Sequence, residues 1–289
     1  MVLKEVNIHS INEYLDSIEG IYESWGTFNH APWFRGQPVD KELLPKLYRK
    51  TYAKTEQKMI EEFRLRAQSF YNTPEHDRLD KWLFLMQHTG LPTRLLDWTD
   101  GALIALLFSL GFLETVPDCD KKPVVWMLNP IAFNLHYSLY DFLPASWGRF
   151  VHPIDGTEAG IESPVHIQLH AAFYKCPDTA LPVALLPQHI HQRVSAQRSC
   201  FTVHGFKKQG IDALANEFID ERLKSKYPDI HNNLEKQNFI GKAFNDVFLV
   251  KILIKSDPKK MLHQLKRIGI SYANIFPDLD HLSKEISEL

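Results

Sequence analysis

The chain has 289 residues, 44% of them hydrophobic and 12% aromatic, enough apolar mass to bury a full core as one large domain or as one domain with an appendage. Its formal net charge of −2 argues against a globally basic nucleic-acid binder and leaves room only for a local basic patch. The three cysteines, Cys119, Cys176 and Cys200, stand far apart with no CxxC, so neither a disulfide framework nor a cysteine-rich zinc site is indicated and a reducing cytoplasm is the expected compartment.

Met1 to Ser10 carries Lys4 and Glu5 and no apolar h-region, so no signal peptide is expected. Ser10 can cap a helix carrying Ile11, Leu15, Ile18 and Ile21. Trp33 to Gly36 reads as a short strand. Thr55 opens a longer amphipathic helix with Met59, Ile60, Phe63, Ala67 and Phe70 facing inward. A further helix, from about Arg78 to Thr89, stops at Gly90 and Pro92. "TRLLDWTDGALIALLFSL" then passes from an extended piece into an apolar helix, with Thr99 or Asp100 at its N-cap; its apolar run, Ala102 to Leu113, is too short to cross a bilayer.

Beyond this point the chain turns β-like. Val124 to Leu128, Val183 to Leu186, Phe201 to His204 and Phe248 to Ile254 are strand candidates. Tyr137 to Thr179, rich in Pro, Gly and His with poor periodicity, reads as an irregular excursion over a sheet face. Pro258 starts a helix through Leu262 and Leu265 that Gly269 stops, and "NIFPDLDHLSKEI" supplies a short terminal helix. The expected fold is α+β, with a helical N-terminal half packed on a mixed, mainly antiparallel sheet.

Three stretches carry candidate chemistry. In "APWFRGQP", Trp33 and Phe34 carry Arg35 into the interior or a cleft, and Gly36 permits an unusual backbone angle or the close approach of another group. A buried guanidinium cannot shed its proton and needs an anionic or carbonyl partner, from the protein or from a ligand. "LMQHTGLPTRLLDWT" gathers Gln87, His88, Thr93, Arg94, Asp97 and Trp98; this is either an internal polar network, with Arg94 paired to Asp97, or a wall facing a ligand. "HQRVSAQRSCFTVHG" sets Arg193, Gln197 and Ser199 just before a strand, where side chains reach a cleft or form a solvated loop.

Metal and nucleophile chemistry has less to stand on. His166 with His170 and His189 with His191 have plausible spacings, but neither forms an HExxH motif, and no metal is expected. Cys200 reads as a small core hydrophobe. There is no P-loop, GxGxxG or GxSxG.

"WFRGQ", "LFLMQHTGLPTRLLDWTDGALIALLFSL" and "RVSAQRSCFTVHG", in this order and spacing, resemble the FRG domain of bacteria and phage, named for its (F/Y)RG motif. With the terminal "GISYANIFPDLDHLSKEI" the likeness spans roughly residues 15–285, which implies one FRG-type domain over 1–289 with the excursion at 137–179. A more distant resemblance, to ADP-ribosyltransferases, implies their fold and a function. A strand with aromatic-Arg-Gly, a strand-to-helix Thr motif and a later Gln or Glu motif are similar to their three-part signature. The resemblance implies NAD as substrate: Arg35 and Gly36 at its phosphates, Thr99 with Asp97 at the nicotinamide ribose, and Gln197 where a glutamate orients that ribose. Gln87, His88, Thr93, Arg94, Arg193 and Ser199 would line the same ligand site. An amide at 197 can hydrogen-bond a ribose hydroxyl but cannot act as a general base; Glu158 and Glu162 are the carboxylates of the excursion. The expected function is transfer of ADP-ribose to a protein or nucleic acid, as a toxin or phage-defence effector. The alternatives are a non-catalytic nucleotide sensor and a nuclease, the latter without a paired acidic metal motif. No membrane partner is expected.

Overall fold

The computed structural model describes residues 3–25, 32–49, 55–70, 73–75, 79–111, 113, 116–130, 132–133, 182–185, 198–205, 207–215, 248–276 and 279–287. The excursion from Tyr137 to Thr179 lies outside them, as do Glu158, Glu162, Cys176, Arg193, Gln197 and the four paired histidines at 166, 170, 189 and 191.

Local signals place most elements. Strand β1 (Leu3–Ile8) leads into helix α1 (Ile11–Ser24), whose N-cap Ser10 accepts a hydrogen bond from the Glu13 amide while the Glu13 carboxylate accepts from the His9 amide, a reciprocal cap. Then follow β2 (Trp33–Gln37), α2 (Lys46–Arg49), α3 (Glu56–Ala67) and α4 (Leu79–His88). Gly90 ends α4 in the left-handed region, with φ +86°, and the Leu91 amide turns back to the Met86 carbonyl. Next come β3 (Leu95–Thr99), α5 (Ala102–Gly111), β4 (Val124–Leu128), β5 (Val183–Leu185), β6 (Ser199–Val203), α6 (Ile211–Leu214) and β7 (Leu249–Ile254). Helix α7 (Pro258–Arg267) has Pro258 at its start, Asp257 as its cap and Gly269, φ +82°, after its end; α8 (Tyr272–Ile275) and α9 (Leu279–Ser287) follow.

The strands form one seven-stranded sheet in the order β1-β7-β4-β2-β3-β6-β5. Only β1 and β7 run parallel; every other pairing is antiparallel, so the sheet is mixed and mainly antiparallel as expected. The N-terminal residues supply edge strand β1, which pairs with β7 and to which the sequence reading assigned no element. One expectation needs correction: Phe70, expected inward, is 86% exposed beyond the end of α3.

Period-2 alternation sorts the core. In β4, Val124, Trp126 and Leu128 join Trp33, Leu96, Trp98, Cys200 and Phe248 on one face, which α6 covers with Ile211 and Leu214. Val125 and Met127 join Phe34 on the other face, under α1, α5, α7 and α8. A smaller cluster of Leu83, Leu95, Phe201 and Val203 docks α4 beside β3 and β6. Among the described residues no helix is long and apolar enough to cross a membrane.

Candidate functional site

In β2, Trp33 and Phe34 point to opposite faces and bury almost completely, which fixes the strand. Gly36 lies on the Phe34 face, beneath α5. A Cβ there would stand 1.8 Å from the Ala105 carbonyl oxygen and 2.7 Å from the Ser109 nitrogen. The group whose close approach Gly36 permits is therefore the backbone of α5, not a ligand, which corrects its expected role as a ligand contact.

Arg35 points to the opposite face, at a break in the sheet. All five residues of β2 pair with β4, but only Phe34 pairs with β3, opposite Thr99. Beyond that bridge the two strands splay, and the Arg35 guanidinium takes the place of the missing ladder: Nη1 donates to the Asp97 carbonyl at 2.6 Å. The Asp97 carboxylate is farther off, 3.9 Å from Nη1, with the two side chains 17% and 55% exposed. Arg35 Nε is buried and has no partner among the described residues. Burial pulls this guanidinium down to about 10; the Asp97 charge opposes the shift and the neighbouring Arg49 adds to it. Arg35 is therefore still protonated at neutral pH.

The second motif packs around the same strand. Gln87, near the end of α4, donates Nε2 to both Asp97 carboxylate oxygens at 2.9 Å and accepts from the Thr93 hydroxyl, which in turn accepts from the Leu95 amide. Gln87 and Thr93 thus hold the carboxylate in place. His88 ends α4 half-buried. Arg94 does not pair with Asp97, as the sequence suggested, but with Glu56 in the first turn of α3. Its Nε and Nη2 donate to the two carboxylate oxygens at 2.8 and 2.5 Å, and Nη1 donates to the His204 carbonyl at 2.9 Å. Both side chains are buried. Burial alone would pull Arg94 down, but the Glu56 hydrogen bond and charge more than offset it, so Arg94 holds its proton more firmly than usual. The correction has a simple cause: successive strand residues face opposite ways, and Asp97 is three residues on.

His204, one residue past β6, is fully buried, and neither ring nitrogen has a partner among the described residues. Burial, with the charges of Arg94 and Arg35, pushes it down to about 3, so the ring is neutral. The Tyr48 ring meets it edge-on at 6.5 Å, and the Tyr48 hydroxyl donates to the Gly205 carbonyl.

The third motif enters through β6, which pairs with β3 along its whole length from Leu95 opposite Val203 to Thr99 opposite Ser199. Thr99 and Ser199 are buried, and the Thr99 hydroxyl accepts from the Gly101 amide at the entry to α5. Arg198, φ 50°, ties Nε to Asp100. The three motifs thus meet on adjacent strands β2, β3 and β6. Arg193 and Gln197 lie outside the described residues, so the expected ligand-binding and catalytic roles there stand apart from this geometry.

Glu56, Tyr48 and His204 belong to the site and were not singled out in the sequence. Glu56 carried the only available signal, an acidic residue in the first turn of an amphipathic helix. A hollow of about 300 Å³ beside α3, lined by Glu61, Arg64, Leu65, Gln68, Pro74 and Trp82, shares none of the motif residues. Among the described residues no cluster of metal-ligating side chains occurs.

An α+β chain whose sheet opens beside an aromatic-Arg-Gly strand is the class that fold and site define. Residues 30–114 match the family model of the FRG domain, and the chain is an FRG domain-containing protein. The matched segment holds β2, β3 and α5 and ends before the third motif. No curated protein and no solved structure matches the chain.

Proposed function

We propose that the opening between β2 and β3 binds a nucleotide of the NAD class, with Arg35 on its phosphates, as the first step of ADP-ribosyl transfer to a protein or nucleic-acid acceptor. The observation that carries this reading is the under-compensated charge of Arg35. A desolvated guanidinium normally ends in a close, bidentate ion pair, as Arg94 does. Arg35 instead has one carbonyl bond, a carboxylate at 3.9 Å and a buried Nε without a partner among the described residues. An anionic ligand would complete it.

Asp97 then serves the ribose. Its carboxylate is fixed by Gln87 and half exposed, so it can accept a hydrogen bond from a ribose hydroxyl and stabilise the positive charge that develops at C1′. In the transfer, the bond from C1′ to the nicotinamide nitrogen breaks and neutral nicotinamide leaves with the bonding pair. The acceptor's lone pair forms the new bond to C1′, and its proton passes to solvent. The non-catalytic sensor draws support from the same contacts, because a carboxylate already held by Gln87 is better placed to accept hydrogen bonds than to remove a proton.

The test is calorimetric titration of NAD and ADP-ribose, together with nicotinamide release. Saturable binding with release supports the transferase, and binding without release supports the sensor. No binding by the wild-type protein at millimolar ligand overturns both.

A further inference from the structure

A net charge of −2 leaves room only for a local basic patch, and α7 supplies one. Its sequence, PKKMLHQLKR, holds Lys259, Lys260, Lys266 and Arg267 and no acidic residue. Met261 and Leu265 are buried in the core. At about 100° per residue, the four cations and His263 fall in one arc of about 120° on the side away from that core. Lys259 with Lys266 and Lys260 with Arg267 form two rows along the axis, each about 10.5 Å long, with His263 between them. Lys266 is half-buried and the others are exposed. Among the described residues no carboxylate lies within ion-pairing distance of Lys259, Lys260 or Arg267. The Asp118 carboxylate, whose charge Lys259 also feels, is paired with Lys121 at 2.5 Å.

Other surface helices are composed differently. Helix α3 mixes signs, with Glu62 paired to Arg66 one turn on at 2.7 Å, and α1 exposes Glu13, Asp16, Glu19 and Glu23 with no cation. In α7, Lys259 and Lys260 stand in the first turn, where cations oppose the helix dipole, and the cap Asp257, which accepts from the Lys259 amide at 3.0 Å, is the acid that offsets them. Cations placed where they weaken their own helix point to a partner rather than to the fold.

We propose that the exposed face of α7 docks on the phosphate backbone of a nucleic-acid duplex without reading base sequence. A duplex carries one charge per about 1.7 Å of axis, so about six phosphates lie along the length of the two rows, against about three on a single strand. Four cations in two fixed rows match the denser array, and contacts of this kind set affinity and register rather than sequence preference. An anionic membrane fits less well, because Met261 and Leu265 are committed to the core and leave α7 no apolar face to enter lipid. The proposal is independent of the nucleotide site: α7 covers the Phe34 face of the sheet, and Arg35 points to the other.

The experiment measures binding of the full chain to a labelled DNA duplex of about two helical turns, to one of its single strands and to phosphatidylserine vesicles, between about 50 and 200 mM salt, with thermal melts. The wild type should bind the duplex most tightly, with log K falling against log salt at a slope of about −3 to −4. Replacing three cations together, Lys259→Gln, Lys260→Gln and Arg267→Gln, should weaken duplex binding at least about 10-fold and flatten the slope by about 2–3; Arg267→Gln alone should flatten it by about 1. Neither variant should melt lower, because these side chains are exposed and two of them oppose the helix dipole. The combined control Lys4→Gln, Lys58→Gln and Lys208→Gln removes the same charge from other exposed positions and should bind within about 3-fold of wild type, as should Arg35→Lys. Absence of duplex binding at the lower salt, equal weakening by the control, or tighter binding to the single strand or the vesicles overturns the proposal. So does salt-dependent self-association that the α7 variant abolishes while duplex binding persists.

Discussion

Arg94, just before β3, and Arg35, in β2, are both carried inward by apolar neighbours and both reach toward the same part of the sheet, yet they are satisfied differently. Arg94 meets Glu56 in a buried two-bond pair and adds the His204 carbonyl, which occupies its nitrogens. Arg35 meets a main-chain oxygen, keeps its nearest carboxylate at 3.9 Å and leaves Nε without a described partner. Arg94 closes a chain contact across 38 residues between α3 and β3, whereas Arg35 spans a gap in the sheet with binding capacity to spare. An arginine in a buried stretch is therefore not one signal. Its role depends on whether the fold brings a carboxylate fully up to it.

The contrast can be broken most sharply at Arg94. Arg94→Ala should lower stability by about 3–5 kcal/mol in denaturant unfolding, because it strands a buried carboxylate, and Glu56→Ala should cost a similar amount. The paired apolar replacement, Arg94→Met with Glu56→Leu, should be less damaging than either alanine variant. If it is as damaging as both combined, the pair is not the closed structural unit described here. Gly36→Ala comes next, at about 1–3 kcal/mol of overpacking, since its methyl group meets the α5 backbone rather than open space. Wild-type stability in that variant would mean that α5 does not press on the FRG glycine.

His204 sharpens the comparison by pH. Its folded pKa, near 3, lies below the ordinary histidine value of 6.5, so below 6.5 the unfolded chain binds the proton and the folded chain does not. This contribution to stability is fully kept above pH 6.5 and is lost as pH falls from 6.5 toward 3, by at most about 1.4 kcal/mol per pH unit. His204→Gln should flatten the pH dependence of unfolding in that window. An unchanged slope would show that the ring has a polar partner. Asp97→Asn gives the smallest effect on folding, below about 1 kcal/mol, because the carboxylate is 55% exposed. It should still weaken ADP-ribose binding if Asp97 accepts a ribose hydroxyl, and unchanged affinity would remove that role.

Local chemistry was legible in the chain. Ser10, Gly90, Pro258 and Gly269 mark helix ends through contacts within a few residues, and the structure places each as the sequence suggests. Long-range pairing was not. "LKEVNI" shows only Val6 and Ile8 alternating inward at a sheet edge, and its partner β7 lies at the far end of the chain. Arg94 had a carboxylate three residues away, and strand geometry turned it to one far more distant. That Arg35 sits at a break in the sheet follows from β2 pairing fully with β4 and barely with β3, a property of three strands together. His204, one of fourteen histidines, carried no mark of its burial.

The central claim is that Arg35 is held for a ligand and Arg94 for the fold, and a crossed pair of lysine substitutions tests it directly. ADP-ribose affinity by calorimetry and melting temperature would be measured for wild type, Arg35→Lys and Arg94→Lys, since lysine keeps the charge and loses the planar fork. Arg35→Lys should weaken ADP-ribose by about 1.5–3 kcal/mol with little change in melting temperature. Arg94→Lys should melt markedly lower and bind ADP-ribose as wild type does once corrected for folded fraction. Equal affinity in wild type and Arg35→Lys, with a lowered melting temperature for Arg35→Lys, would contradict the claim and make both arginines structural ties.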